Sequence, residues 1–550
     1  MAIKLKLDHA RSFLIQQYRR TPAEVWLAIG LALVGVFLRL KVIPFVTNNY
    51  DEGVYTAALR SFTAGNALYR QVYMAQPPYF ILLLAPWFIL GGKTIVAARY
   101  GVLFYSLFGV IGVWALARSL SGPLAGLLAV AALTFDPLYF TQSVSAQAEA
   151  PAVAMMIVAV AFAASAKNKP DMRKTFFAGF FFTVGILIKL FIVPAIIPIL
   201  YFLLFPYGLP RAPKSWSAMW IIFQERRRLF AFLGLGIWVA ALPAMVLFLQ
   251  DPSAMWNQVI GLHVAATGAY AQNRLNNISL FFSIWWEAPL VVGATAISIW
   301  LYKKQQCADG LILLLWGYSS IVVLLIQTPL FDHHLVLIVP GFIASLSLIA
   351  QDTLLASVRF QIRGAAQTAI AGFLVVVFLS AGAVTLHRVS SDAQTTASDL
   401  SITAVAFELD ALTSPQEYVV TDDQVIADLA NRNIPPELVD TSSVRIASGS
   451  LTSADVIQQL QNPQVVAVLW YSGRFNALPG LLAYVKAHFT AVIHYGGGRV
   501  LYIRTPPALP VAAVKNSGSM ISGYKCRDSQ GAAPAPCAGI GVSPNTFLYK

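Results

Sequence analysis

The chain has 550 residues, of which 57% are hydrophobic and 11% charged, with a formal net charge of +13. This composition excludes an ordinary soluble protein and implies that a lipid bilayer surrounds much of the chain. The basic residues lie in short loops between apolar runs rather than in one stripe, so the charge does not indicate nucleic-acid binding. It fits the positive-inside rule for membrane proteins instead.

The first apolar run, from about Val25 to Ile43, follows a basic N-terminal segment without a small-residue cleavage site. It therefore predicts an uncleaved transmembrane helix with the N-terminus in the cytoplasm. Residues 45–95 follow as a first outer loop. The apolar run Tyr79 to Leu90 within it is too short to cross about 30 Å of hydrocarbon, and we expect a helix lying at the membrane interface.

Further apolar runs in residues 1–388 predict an α-helical polytopic membrane domain of about eleven transmembrane helices. Basic loops alternate with these runs and orient them. The predicted spans after the first are Arg99 to Leu116, Leu124 to Tyr139, Pro151 to Ala166, a hairpin from Phe176 to Phe205, a helix reaching Leu249, one ending at Lys303, one leaving near Gln327, one beginning near His334, and Thr368 to Leu386.

Residues 389–506 have the composition of a globular domain, which we expect on the extracytoplasmic side. Short strands at Tyr418 to Val420 and Val465 to Trp470 alternate with helices at Ser453 to Leu460 and Leu481 to Phe489, a pattern typical of a small α/β domain. Three glycines, 496 to 498, separate two further apolar runs and predict a hairpin turn. Residues 507–550, rich in Pro, Ala, Gly and Ser, predict a loose tail.

Adjacent carboxylates, Asp51 and Glu52, come directly after the first predicted span, and Glu149 stands at the mouth of another. The predicted topology brings all three to the outer face. An acidic residue at the start of a membrane helix is costly unless it faces a cavity or a cation. The competing interpretations are a solvated loop, for the adjacent pair, or a helix N-terminus, where acidic side chains are favoured without any function.

Four cationic or titratable side chains share that predicted face, namely Arg99, Lys189, His333 and His334. The arginine and the lysine could instead be long side chains that reach the interface from helix ends. The histidines could simply cap a helix. Tyr55, Gln76 and Tyr79 flank the acidic pair and a Pro-Pro step, and we include them as candidate substrate contacts.

Taken in order, these motifs resemble the integral-membrane C-type glycosyltransferases, in the branch of protein O-mannosyltransferases and lipid A aminoarabinose transferases. The resemblance covers roughly residues 20 to 390. Three departures stand out. Val144 occupies a position where the family often has arginine, and its second acidic residue is usually aspartate rather than Glu149. Near the tenth helix, where relatives commonly have Arg-Tyr, the chain has Phe331-Asp332-His333-His334.

The resemblance implies an inverting transfer of a sugar from a polyprenyl-phosphate donor to a hydroxyl of a protein, lipid or polysaccharide acceptor. Asp51 is the expected general base, and like-charge repulsion from Glu52 and Glu149 together with partial desolvation is expected to raise its pKa. Arg99, Lys189 and the two histidines would contact the donor phosphate. No cofactor is expected to be required, although the acidic cluster could hold a divalent cation.

Two competing functions remain open at this stage. A polytopic transporter or flippase with an appended binding domain would have its polar residues at mid-membrane, whereas here they lie at the outer rim. A non-catalytic relative of the enzymes could also keep the same fold.

Overall fold

The structure is a computed structural model that describes residues 22–44, 49–206, 215–270, 274–303, 308–358, 382–385, 387 and 400–504. Its larger part is helical. In chain order the α-helices are α1 (Ala23–Val42), α2 (Tyr50–Thr63), α3 (Tyr79–Leu90), α4 (Ile95–Ser121), α5 (Pro123–Phe135), α6 (Pro137–Gln142), α7 (Glu149–Ser165), α8 (Met172–Ile188), α9 (Ile196–Leu204), α10 (Trp216–Gln250), α11 (Pro252–Trp256), α12 (Leu262–Ala269), α13 (Arg274–Ser283), α14 (Ala288–Lys303), α15 (Ala308–Ile326) and α16 (Val339–Val358).

Within the described ranges, four helices are long and apolar enough to cross a membrane, in α1, α4, α10 and α15. A fifth span is available if α13 and α14, which meet at a bend of 92°, count as one. Five shorter apolar helices accompany them. The chain is thus a multi-pass membrane protein, but the predicted count of eleven is not confirmed. Most of the predicted helix from Thr368 to Leu386 lies outside the described residues.

Most predicted spans coincide with helices, and the helical structure is interrupted at two places, the second of which is the predicted turn of the hairpin from Phe176 to Phe205. One interruption is at Asp136, which ends α5 and caps α6 by accepting a hydrogen bond from the Tyr139 backbone N–H at 2.7 Å. The other is at Lys189, whose extended backbone separates α8 from a 3-10 segment, Leu190–Ala195. A second 3-10 segment, Asp332–Ile338, leads into α16. Such breaks present side chains at helix ends rather than along a helix face.

The short helix α2 lies beside the membrane helices and bears the predicted acidic pair in its first turn. Asn49 caps it by accepting hydrogen bonds from the backbone N–H groups of Asp51 and Glu52, at 3.1 and 3.4 Å. Acidic side chains at this end are also favoured by the helix dipole. The capping interpretation is therefore correct for the backbone, but it does not account for where the two carboxylates go.

The C-terminal domain is a small α/β structure, as predicted. Its elements are α17 (Leu400–Leu412), β1 (Tyr418–Thr421), α18 (Gln424–Leu429), α19 (Ser443–Ala447), α20 (Ser453–Leu460), β2 (Val465–Trp470), α21 (Leu481–His488), β3 (Ala491–Gly496) and β4 (Arg499–Ile503), with 3-10 segments Pro436–Leu438 and Arg474–Ala477. The sheet order is β1-β2-β4-β3. Strands β1 and β2 are parallel, and the remaining neighbours are antiparallel.

Two sequence predictions about this domain can be compared directly with the structure. The glycine triplet forms the β3–β4 turn with positive φ at all three residues, which confirms the predicted hairpin. The predicted domain boundary at residue 389 and the tail at 507–550 lie outside the described residues.

The C-terminal domain packs directly on α2 through α18. The two backbones approach so closely at Gly53 that a β-carbon there would come within 2.9 Å of the Gln424 carbonyl carbon and closer still to the Val425 nitrogen. Two turns of helix further on, Arg60 forms a buried ion pair with Asp428 at 2.8 Å. The helix that bears the acidic pair is therefore held between the membrane helices and the C-terminal domain.

Candidate functional site

A cavity of about 1040 Å³ opens where the membrane helices, α2 and the C-terminal domain meet. Seven of the ten predicted site residues line it, namely Asp51, Tyr55, Gln76, Arg99, Lys189, His333 and His334. Glu52, Glu149 and Tyr79 do not. We call the side formed by Asp51, Arg99, Lys189, His333 and His334 the helical half, and the side formed by Asp440, Ser442, Ser443, Val444 and Arg474 the domain wall.

The adjacent carboxylates of α2 have different environments. The Glu52 side chain has 0% exposure and receives two hydrogen bonds from Arg99, from Nε at 2.8 Å and from Nη2 at 2.6 Å. It also accepts one from the Ala146 backbone N–H. Arg99 also donates a hydrogen bond from Nη1 to the Ile43 backbone carbonyl at 2.8 Å. This bidentate pair ties α2 to α4 and to the chain ahead of α7, so both residues act on the site by positioning it.

Asp51, in contrast, faces the cavity with 38% of its side chain exposed. Its Oδ2 lies 3.4 Å from His333 Nε2 and 3.5 Å from Gln147 Nε2. Burial raises the pKa of Asp51, while His333 and Lys189 oppose this and Glu149 and Asp440 add to it. The predicted direction of the pKa shift is thus obtained, with burial as its main cause. The second negative charge that raises this pKa is Asp440 of the domain wall, rather than Glu52 as predicted.

Glu149 lies at the first turn of α7 beneath the cavity floor, with 1% of its side chain exposed. Its Oε1 contacts Lys189 Nζ, and it lies 3.6 Å from His333 Nε2 and 3.7 Å from His334 Nε2. One carboxylate thus gathers three basic side chains from two breaks in the helical structure. Because a buried carboxylate needs cationic partners, Glu149 accounts for the positions of Lys189 and His333, and His334 lies beside them.

The same cluster is the place where a divalent cation would fit. Donor atoms of Glu149, His333 and His334 all lie within 4.8 Å of one another. Glu149 Oε2 has no hydrogen-bond partner in the described part of the chain. Imidazole and carboxylate together suit a transition metal better than magnesium. The Lys189 ammonium already contacts the other carboxylate oxygen, however, and would repel a second cation.

The three predicted substrate contacts have separate positions. Tyr55 is buried at the cavity edge with its ring against Phe80. Gln76 lines the cavity, and its backbone carbonyl accepts a hydrogen bond from the Tyr69 hydroxyl at 2.9 Å. Tyr79 lies outside the lining and donates its hydroxyl to the Ala240 carbonyl, so it stabilises the packing of α3 on α10.

The domain wall was not anticipated from the sequence. Its Asp440 accepts a hydrogen bond from the Tyr50 hydroxyl at 3.3 Å, and the Tyr50 oxygen accepts one from the Thr441 backbone N–H at 2.9 Å. The Arg474 guanidinium stacks 3.7 Å from the centre of the Tyr50 ring. Tyr50 immediately precedes Asp51, so the C-terminal domain fixes the backbone beside the exposed carboxylate.

Comparisons with known proteins support the predicted resemblance. Residues 75–224 match the model of the family described as dolichyl-phosphate-mannose-protein mannosyltransferase. This range contains Arg99, Glu149 and Lys189 but ends well before the histidine pair. Among curated proteins, none matches the sequence of this chain.

Solved structures show the same fold. The chain resembles ArnT from Cupriavidus metallidurans bound to undecaprenyl phosphate, with a TM-score of 0.59 and 14% identity over 89% of this chain and 100% of that one. ArnT in the apo state gives a TM-score of 0.57 and 15% identity, over 87% of this chain and 97% of ArnT. The archaeal oligosaccharyltransferase AglB from Archaeoglobus fulgidus gives a TM-score of 0.49 and 13% identity, over 89% of this chain and 75% of AglB. The predicted resemblance is confirmed, and the chain has the fold of a membrane C-type glycosyltransferase of the protein mannosyltransferase and ArnT type.

Proposed function

We propose that this protein is an inverting glycosyltransferase that moves a sugar from a polyprenyl-phosphate donor to an acceptor hydroxyl, with Asp51 as general base. One observation carries the assignment of the base. Of the three predicted carboxylates, Glu52 and Glu149 are buried in ion pairs, whereas Asp51 alone opens into the cavity. A base must reach the proton that it removes, and of these three carboxylates only Asp51 meets that condition.

In the reaction, the acceptor oxygen attacks the anomeric carbon while its proton passes to an Asp51 carboxylate oxygen. The bond from that carbon to the phosphate oxygen breaks, and its electron pair leaves with the lipid phosphate. A single displacement inverts the configuration at the anomeric carbon. Negative charge develops on the phosphate, so cations fixed nearby stabilise the transition state more than the ground state.

Lys189 and His333 are the cations that we assign to the departing phosphate. Both line the cavity beside Asp51, and Glu149 holds them in place from below. His334 is turned toward Gln327, whose Nε2 lies 3.0 Å from its Nδ1, and it completes the same cluster. We propose that Arg99 acts indirectly, because Glu52 occupies the fork of its guanidinium.

The nature of the donor is supported by the fold and by the relatives. The family that matches residues 75–224 is described as using dolichyl phosphate mannose, and the ArnT structure contains undecaprenyl phosphate. We propose that the cavity faces the extracytoplasmic side, where a lipid-anchored donor can enter between helices. The acceptor is a protein, lipid or polysaccharide hydroxyl. Because Lys189 and His333 supply the positive charge, we expect transfer to proceed without an added divalent cation.

The test is transfer of radiolabelled sugar from synthetic polyprenyl-phosphate sugars to a membrane extract. Asp51→Asn should lower the rate by about 10²- to 10⁴-fold, the usual contribution of a general base. Asp332→Asn is the matched control, because Asp332 also lines the cavity but its carboxylate is 81% exposed and faces His333 Nδ1. Equal transfer by wild type and Asp51→Asn would remove Asp51 from the mechanism, and no transfer from any donor would contradict the enzyme assignment.

Two further readouts sharpen the test. Because burial raises the pKa of Asp51, the acidic limb of the profile of kcat/KM against pH should lie above the ordinary aspartate range near 4. Activity should fall as the pH drops through that limb, since the protonated carboxyl cannot accept a proton. Addition of a chelator should leave the rate unchanged; abolition would instead indicate a cation at Glu149, His333 and His334.

A further inference from the structure

The domain wall contributes a cation whose surroundings differ from those in the helical half. Arg474 begins the 3-10 segment after β2, and its Nη1 donates to the Asp422 carbonyl at 2.9 Å. Its guanidinium lies flat on the Tyr50 ring at 3.7 Å. Among the ion pairs of the described residues, none involves Arg474. It is a half-buried arginine that lines the cavity without a carboxylate partner.

The loop that bears Arg474 is held rigidly. The Asp422 carboxylate accepts hydrogen bonds from the backbone N–H groups of Tyr471 at 2.7 Å and Ser472 at 3.0 Å. The Ser472 hydroxyl in turn donates to the Asp422 carbonyl at 2.8 Å. Together with the stacking on Tyr50, these contacts fix the plane of the guanidinium before any ligand arrives. A pre-oriented guanidinium loses little entropy on binding a planar or tetrahedral anion.

We propose that Arg474, with the exposed hydroxyl of Ser443 on the same wall, binds an anionic group of the acceptor, a phosphate or a carboxylate. The guanidinium edge not used by Asp422 supplies paired N–H donors, and stacking on an aromatic ring leaves such an edge available. Asp440 is the acidic residue of the wall, and its carboxylate is engaged by Tyr50 and by the Ser442 backbone N–H at 2.8 Å.

The anion is assigned to the acceptor rather than to the donor by the geometry of displacement. Attacking and leaving oxygens lie on opposite sides of the anomeric carbon in a single displacement. The cations suited to the leaving phosphate, Lys189 and His333, belong to the helical half, where a lipid chain can enter. Arg474 belongs to the C-terminal domain and stacks on Tyr50 at the domain wall. This assignment to the acceptor rests on the proposed glycosyl transfer, whereas the anion site itself does not.

Binding can be measured without any transfer reaction, using thermal unfolding of the full-length protein in lipid nanodiscs. Inorganic phosphate and decaprenyl phosphate serve as separate probes, because a ligand that binds the folded state raises the unfolding temperature. The variants are Arg474→Gln, Arg474→Lys and the control Arg499→Gln. Arg499 stacks on Tyr471 at 4.4 Å in the same domain and is not among the residues that line the cavity.

We expect phosphate to stabilise the wild type and the Arg499→Gln variant. Arg474→Gln should need about tenfold or more phosphate for the same shift, because it loses charge-assisted hydrogen bonds. Arg474→Lys should recover part of the loss, which shows that the charge rather than the fold is responsible. Stabilisation by decaprenyl phosphate should be unchanged in all three variants.

Equal phosphate stabilisation of wild type and Arg474→Gln, or none in the wild type, would overturn the anion site. Loss of decaprenyl phosphate binding in Arg474→Gln would overturn the assignment to the acceptor, since the residue would then serve the donor. A protein that binds phosphate through Arg474 but transfers no sugar from any donor would refute the proposed function and leave the anion site standing.

Discussion

The helical half and the domain wall of the cavity differ in whether their cations form ion pairs. In the helical half, Arg99 is paired with Glu52 and Lys189 with Glu149, both inside the protein. On the domain wall, Arg474 has no such partner in the described part of the chain, and it stacks on Tyr50 instead. Paired buried charges hold a geometry that tolerates little change, whereas an arginine outside any ion pair can bind an anionic ligand. We propose that the helical half sets the catalytic geometry and that the domain wall binds the acceptor.

The largest expected effect comes from separating the two halves at the Arg60–Asp428 pair. Arg60→Met leaves the Asp428 carboxylate buried without its cation, which costs about 3–5 kcal/mol. We expect faster hydrogen exchange at the α18 amides, which pack on α2. The control is Arg118→Met, which removes an exposed ion pair with Glu24 at 3.4 Å. We expect this variant to lose less than about 1 kcal/mol of stability. Unchanged exchange in Arg60→Met would show that the domain is held elsewhere.

The next effect concerns Asp423, between β1 and α18. Burial raises its pKa to about 6, with Arg474 opposing and Asp422 adding to the shift. A carboxyl whose pKa is higher in the folded state binds more protons there, so stability falls as the pH rises from about 4 to about 6. The loss amounts to about 3 kcal/mol. Asp423→Asn should flatten this part of a plot of unfolding temperature against pH.

For Asp423, the matched control is Asp410→Asn, because the Asp410 carboxylate is 56% exposed and is paired with Arg432 at 2.7 Å. Its profile of unfolding temperature against pH should keep the fall between pH 4 and 6. A wild-type protein whose stability rises through that range would contradict the buried, protonated form of Asp423.

A smaller effect is expected at Gly53, where α2 and α18 touch. Gly53→Ala forces the two backbones apart, because the new β-carbon meets main-chain atoms that cannot rotate away. We expect a destabilisation of about 1–3 kcal/mol and a lower kcat, since Asp51 lies two residues earlier. Gly30→Ala in α1 is the control, as a β-carbon there has nothing within 4 Å. Identical stability and kcat in both variants would show that the close approach is not needed.

The smallest effect is predicted for Tyr50→Phe, which keeps the ring beneath Arg474 and removes the hydroxyl. Burial raises the pKa of Tyr50 well above its ordinary value, so the lost group is a protonated donor to Asp440. We expect a destabilisation of about 1 kcal/mol, the usual net contribution of a hydrogen bond to stability, and unchanged phosphate binding at Arg474. Tyr50→Leu, which also removes the ring, should weaken that binding. Equal binding by both variants would mean that stacking does not orient Arg474.

The sequence predicted most of the helical half because its signals are local. Apolar runs mark helices, and the acidic pair after the first run marks α2. Lys189 and His334 could be placed near one face because each stands at the end of an apolar run. The pairing of Glu52 with Arg99 could not be predicted, because 47 residues separate them and either could have paired with another charge. That Tyr79 lies outside the cavity lining could not be predicted, because the sequence does not show which way a short apolar helix turns its aromatic residues.

The domain wall lay beyond prediction because its residues stand more than 380 residues after Asp51 in the chain, in short helical segments and the loops beside them. One signal was available. Asp422 and Arg474 follow the carboxyl ends of the two parallel strands β1 and β2, and such ends meet at one edge of a sheet. The sequence could have indicated that these polar residues cluster. That this edge faces α2 depends on the docking of two domains, which no local pattern encodes.

The most direct test of the two-halves account is photo-crosslinking with a polyprenyl phosphate that has a photoreactive group next to the phosphate. After irradiation of the wild type in nanodiscs, the labelled peptides are identified by mass spectrometry. The account predicts labelling around Lys189 and His333, with the domain wall unlabelled. Labelling concentrated at residues 440–444 and 474 would contradict it, because the donor phosphate would then lie against the C-terminal domain.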